Sequence, residues 1–109
     1  MLTTGGCPKS MLSIRDAMEA LEGRWKLLIL FALSGGAKRF GELAKEVSGI
    51  SDKVLSKELK ALEANKLIVR AVNDTIVEYS ITEHGRSLEM VMAALHYWGM
   101  AHREVVMGK

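Results

Sequence analysis

Residues 39–64 read RFGELAKEVSGISDKVLSKELKALEA, and two short helices separated by a tight turn are written into them. Phe40, Leu43, Ala44 and Val47 recur at i, i+3, i+4 and i+7, one face of a helix that Gly49 closes near its C-terminal end. Only Ser48, Gly49 and Ile50 intervene before Ser51, a good N-cap residue followed by Asp52 where the helix dipole favours a carboxylate. The second helix runs to about residue 64. At about 100° per residue, its Leu55, Leu59 and Leu62 fall on one side and Lys53, Lys57 and Lys60 fall roughly opposite. Two helices joined in this way form a helix-turn-helix candidate, anchored by leucines and offering lysines outward.

Upstream, Met11, Ile14, Met18 and Leu21 mark an amphipathic helix over residues 10–22, after a short arm at 1–9. Residues 24–34 are apolar all round, with Trp25, Leu28, Ile29 and Ala32 on one side and Leu27, Leu30 and Phe31 on the other; such a helix is expected to be buried. Downstream the periodicity changes to two: residues 67–72 and 76–81 read as strands, with Asn73, Asp74 and Thr75 as the hairpin turn. Thr82 is placed to cap a long last helix over 83–106. The order of elements, three helices, a helix presenting lysines, a two-stranded hairpin over 67–81 and a final helix, is that of a winged helix-turn-helix, a mainly α fold with a β-hairpin wing. The whole chain, 1–109, reads as one such domain.

In a winged helix the second helix of the pair enters the major groove of DNA and the hairpin lies along the backbone or minor groove. Arg39, Ser51, Lys53, Ser56, Lys57 and Lys60 are therefore the candidate DNA contacts, with Arg70 and Asn73 from the wing. Eight basic residues stand against five acidic ones between Lys38 and Arg70, whereas the rest of the chain holds seven basic and eight acidic. This local surplus matters more than the formal net charge of +2, which by itself also suits an interaction module whose lysine face docks an acidic protein. Binding to duplex DNA separates the two readings through its steep salt dependence.

The last helix carries apolar residues on opposite faces, and only Glu89, His96 and Arg103 leave a polar stripe. A chain of 109 residues buries only about 65% of its unfolded surface, so one small core cannot hide both faces. A homodimer built on the first and last helices is expected, with Met11, Ile14, Met18, Leu88, Val91, Met92, Leu95, Trp98 and Gly99 at its interface.

Other function classes find no support. There is no Gly-rich phosphate loop, no His-Glu-x-x-His and no Gly-x-Ser-x-Gly, so an enzyme is not expected. His96 and His102 lie six residues apart and on different helix faces, so no metal site and no cofactor are expected. The longest apolar run, residues 27–33, is far short of the roughly 20 residues that span a bilayer, and the chain starts without a charged and then apolar leader. No membrane association is expected. With 49% hydrophobic residues and a mean hydropathy of +0.11 the chain is too apolar for disorder. Its one cysteine, Cys7, rules out an intrachain disulfide and fits a reducing, cytoplasmic setting.

These pieces together resemble the HxlR-type winged helix-turn-helix transcriptional regulators. The resemblance rests on Cys7-Pro8, on Gly23-Arg24-Trp25-Lys26 before a Leu/Ile run, on Arg39-Phe40-Gly41-Glu42-Leu43, on Gly49-Ile50-Ser51 followed by Leu55 and Leu59, and on residues 77–82 with Gly85. It implies a homodimer on an inverted-repeat operator, read by the helix that starts at Ser51. It also implies that Cys7 can sense oxidants or electrophiles, which requires a reactive thiolate that the nearby Lys9 would favour. An oxidant or small-molecule effector is implied without being identified. The sequence departs from the family at the wing tip, where Asn73, Asp74, Thr75 and Ile76 replace a segment usually holding prolines and a basic residue. Asp74 there repels phosphate.

Overall fold

The computed structural model describes residues 6–108. Its elements follow in the order α1 (Pro8–Ala20), α2 (Lys26–Leu33), α3 (Phe40–Glu46), α4 (Asp52–Ala64), β1 (Ile68–Asn73), β2 (Ile76–Ile81), α5 (Glu83–Arg86) and α6 (Glu89–Met107). The expected mainly α fold with a two-stranded antiparallel wing is what the chain adopts.

The core is assembled from α2, α3, α4 and the root of the hairpin. Ile29, Leu30 and Leu33 meet Leu43 and Val47, then Leu55, Leu59 and Leu62, and Leu67, Ile68 and Ile81 close the far side. Each such side chain contributes about 1.5–3 kcal/mol by leaving water. The hairpin pairs Ile68 with Ile81, Arg70 with Tyr79 and Asn73 with Ile76. Asn73 therefore belongs to the strand, and the expected three-residue turn is the pair Asp74-Thr75, with Asp74 at φ 59°. Asp tolerates this left-handed conformation better than most residues. Lys38 adds a rung that the periodicity did not reveal: its N–H donates to the Tyr79 carbonyl at 2.9 Å and the Tyr79 N–H returns to the Lys38 carbonyl at 2.8 Å. This bridge ties the entrance of α3 to the wing.

Three expectations are corrected. The first helix begins at Pro8, inside the expected arm, with Cys7 as its N-cap residue; proline is pre-organised for the first helical position and lacks only an N–H that would be unbonded there. The second helix is not buried all round. Lys26, Ile29, Leu30 and Leu33 face the core, while Leu28 (51% exposed) and Phe31 (66%) face out, because on that side α6 crosses α2 and leaves a groove rather than a packed layer. The single long helix over 83–106 is broken at Ser87-Leu88 into α5 and α6. There the backbone tightens to i→i−3 bonding, Ser87 N–H to His84 O at 3.2 Å and Leu88 N–H to Gly85 O at 3.0 Å, and Leu88 packs against the core.

α1 buries no residue at all and α6 only Met92. Both helices extend away from the core, and the radius of gyration is 15.7 Å against about 13 Å for a compact chain of this length.

Candidate DNA-reading surface

α4 is fixed to the core through Leu55, Leu59 and Leu62, all buried. That anchoring leaves Lys53, Lys57 and Lys60 exposed together on the outer side. Its start is set by Ser51, whose Oγ accepts the Val54 N–H at 3.2 Å; the hydroxyl proton stays available to an acceptor from outside. Gly49 makes the turn at φ 91°, a left-handed backbone that glycine adopts without strain. A Cβ there would also lie 3.8 Å from the Trp25 ring. Ser56 is only half-buried and lies between the leucine and lysine faces.

Arg39 is exposed at the start of α3, and its backbone N–H donates to Glu42 Oε1 at 2.7 Å. Glu42 thus satisfies one of the orphan donors of a helix start, and the Arg39 guanidinium is left at the surface. Arg70 and Asn73 are exposed on β1, with Asp74 exposed at the tip beside Asn73. The candidate contacts therefore fall into two groups, one on α4 with Arg39 and one on the wing.

Two ion pairs here were not anticipated. Lys38 Nζ meets Glu46 Oε2 at 3.0 Å on the outside of α3. Lys26 Nζ meets Glu58 Oε1 at 2.6 Å, with side chains only 9% and 10% exposed. Glu58, counted above among the acids that offset the lysines of α4, is thus withdrawn from the surface and neutralised by a lysine of another helix. The signal was present: Glu58 is three residues after Leu55 and four before Leu62, in the apolar stripe, and Lys26 precedes Ile29 and Leu30 by the same intervals.

The residues expected at a dimer interface divide by position. Met11, Ile14 and Met18 (66%) on α1, and Val91, Leu95 and Trp98 (65%) on α6, are exposed. Leu88 and Gly99 are half-buried, and Met92 is a residue of its own protomer's core, 9% exposed. Met92 points inward because α6 crosses α2 there, so its place in the expected interface is corrected. Exposed Leu28 and Phe31 on α2 line, with Leu95 and His96, a groove of about 460 Å³ between α2 and α6. The indole of Trp98 stacks on His102 at 4.6 Å. Among the described residues no cluster of His, Cys, Asp or Glu could hold a metal, and no helix is long and apolar enough to cross a membrane.

A three-helix core, a capped second helix presenting lysines and a hairpin placed beside it define a winged helix-turn-helix protein. Residues 20–107 match the model of the HxlR-like helix-turn-helix family. The chain is 38% identical over 103 residues to the HTH-type transcriptional regulator YtcD of Bacillus subtilis, covering 92% of this chain and 82% of that one. It superposes on the redox regulator HypR in its reduced form with a TM-score of 0.82, at 30% identity over 89% of this chain and 99% of that one. Against the reduced form of the transcriptional regulator YodB from B. subtilis the TM-score is 0.72, at 36% identity over 84% and 89% of the two chains. The chain belongs to the HxlR-like helix-turn-helix family and is a transcriptional regulator of the helix-turn-helix type. Its relatives are regulators rather than enzymes.

Proposed function

We propose that the protein is a homodimeric, sequence-specific binder of double-stranded DNA that recognises an inverted-repeat operator. The observation that carries this reading is the arrangement of α4: three leucines buried and three lysines exposed on the opposite side, on the second helix of a tight turn. Lys53, Lys57, Lys60 and Arg39 neutralise phosphates and fix the register, while Ser51 and Ser56 approach base edges or phosphates. Burial of Glu58 removes a carboxylate that would oppose this approach. Arg70 and Asn73 act from the wing, against the repulsion of Asp74.

A second copy covers the apolar faces of α1, α2 and α6. A helix of 13 residues with none buried and one of 19 with a single one buried leave more apolar surface than a soluble monomer ordinarily exposes. Two-fold pairing of these helices sets the two copies of α4 against half-sites about 34–36 Å apart.

Selection of a random duplex library by the reduced protein at physiological salt tests this. Enrichment of an inverted repeat is expected. A folded dimer that enriches nothing would instead point to a winged-helix module that docks an acidic protein.

Regulation through Cys7 belongs to the same proposal. Cys7 is half-buried at the N-cap of α1, on a helix that carries the dimer face, so a modified thiol would alter the pairing of protomers. With one cysteine per chain, oxidation by a disulfide-forming reagent joins two subunits or joins one subunit to a small thiol. HypR has been solved in reduced and oxidised forms and YodB after diamide treatment. Operator affinity of the wild type is expected to change with diamide and that of Cys7→Ser to stay constant; equal changes in both would remove Cys7 as the switch.

A further inference from the structure

The Lys26 ammonium is held at a junction of three segments. It donates to Glu58 Oε1 in the middle of α4 at 2.6 Å and to the carbonyl of Glu22, between α1 and α2, at 3.1 Å. Lys26 itself opens α2. Gly23, at φ 90°, brings that connection alongside the same carboxylate, since a Cβ on it would lie 3.7 Å from Glu58 Oε2. Among the described residues this is the one ion pair that α4 makes.

Other contacts hold α4 in place, but they are of a different kind. Leu55, Leu59 and Leu62 pack by non-directional apolar contact, which tolerates small rotations and slides. A short charged hydrogen bond does not. Buried ion pairs are also poor sources of net stability, because desolvation cancels most of the attraction. A lysine and a glutamate placed inside two apolar stripes therefore call for a role other than stability.

We propose that Lys26 and Glu58 form a positioning pair that fixes the angle of the reading helix relative to the α1–α2 connection, and so sets which operator spacing the dimer accepts. The inference rests on the DNA-binding reading above. One base pair added between half-sites moves a half-site by about 3.4 Å and rotates it by roughly a tenth of a turn. An α4 held at one angle rejects that change, and an α4 free to rotate accepts it.

The test starts from the duplex that the wild type enriches, remade with one central base pair inserted or deleted. If the wild type enriches no inverted repeat, the DNA-binding reading has failed, and this inference falls with it in a recognisable way. With the repeat in hand, the wild type is expected to prefer its own spacing by on the order of tenfold. The apolar double variant K26M/E58L, which replaces the pair without stranding a charge, is expected to keep the thermal midpoint and the affinity for a single half-site. Its spacing preference falls to about threefold or less. K26M/E58Q, which removes the ammonium and leaves a neutral amide of the same shape at position 58, is read in the same way should the apolar variant not fold. Unchanged spacing preference in a folded variant overturns the proposal. So does a parallel loss of half-site affinity and spacing preference, since the pair would then only maintain the helix itself.

Discussion

Gly85 offers a sharp test of how the wing is joined to the helical body. It is buried in α5 against the hairpin root, and a Cβ there would overlap the Leu67 carbonyl oxygen, with Ile81 Cγ1 at 2.6 Å and the Leu67 carbonyl carbon at 3.2 Å. Two effects oppose each other in Gly85→Ala. Helix propensity favours alanine by up to about 1 kcal/mol. Overpacking costs about 1–3 kcal/mol where neighbours can shift, and here the neighbour is backbone. The Leu67 carbonyl accepts from the Thr82 N–H at 3.0 Å, the Thr82 hydroxyl donates to the Lys66 carbonyl at 2.7 Å with the Leu67 carbonyl 3.1 Å away, and Thr82 Oγ1 takes the Gly85 N–H at 2.9 Å. Moving Leu67 therefore also strains the segment that holds Thr82, the cap of α5, a further loss of up to about 1 kcal/mol. The clash wins by about 2 kcal/mol or more, which for a domain of this size lowers the midpoint by about 10 °C or more. Thermal unfolding followed by far-ultraviolet circular dichroism, with both proteins at the same concentration because any self-association adds to stability, measures it. A midpoint for Gly85→Ala equal to or above that of the wild type would refute this packing argument.

Two further predictions follow from the caps and the exposed faces. Ser51→Ala removes the acceptor for the Val54 N–H and should cost about 1 kcal/mol in chemical denaturation, without changing the slope of the transition. Leu95→Glu and Ile14→Glu place charges on the exposed apolar faces of α6 and α1; light scattering should find dimer for the wild type and the 12.0 kDa monomer for the double variant, with its circular dichroism retained.

The helix-turn-helix and the hairpin were legible because their signals are local and agree with one another. Leucines recur at helical spacing, Ser51 stands where an N-cap belongs, and alternation with a period of two marks Val77, Tyr79 and Ile81. The start of α1 at Pro8 was a local signal, since proline suits the first helical position; the other corrections involve information that is not local. Apolar residues all round α2 cannot say whether the protomer or a second copy covers Leu28 and Phe31. Nothing in the spacing of residues 83–106 distinguishes a continuous helix from one tightened at Ser87-Leu88, since both keep nearly the same periodicity. Met92 and Leu95 look alike in sequence; the crossing of α6 over α2 separates them. Glu58 was the most consequential misreading, because counting charges along the chain treats every carboxylate as solvated. Its partner, Lys26, is 32 residues away.

The central claim, that α4 carries the lysine face which meets DNA, is tested most directly by the salt dependence of operator affinity. Wild type and the Lys53→Ala, Lys57→Ala, Lys60→Ala triple variant are titrated against the enriched duplex by fluorescence anisotropy from about 50 to 200 mM salt, a range in which six to ten phosphate contacts cost on the order of a thousandfold or more. With three lysines from each protomer on phosphates, the slope of log affinity against log salt should become shallower by about 5 in the variant. A folded, dimeric variant with the wild-type slope would contradict the account.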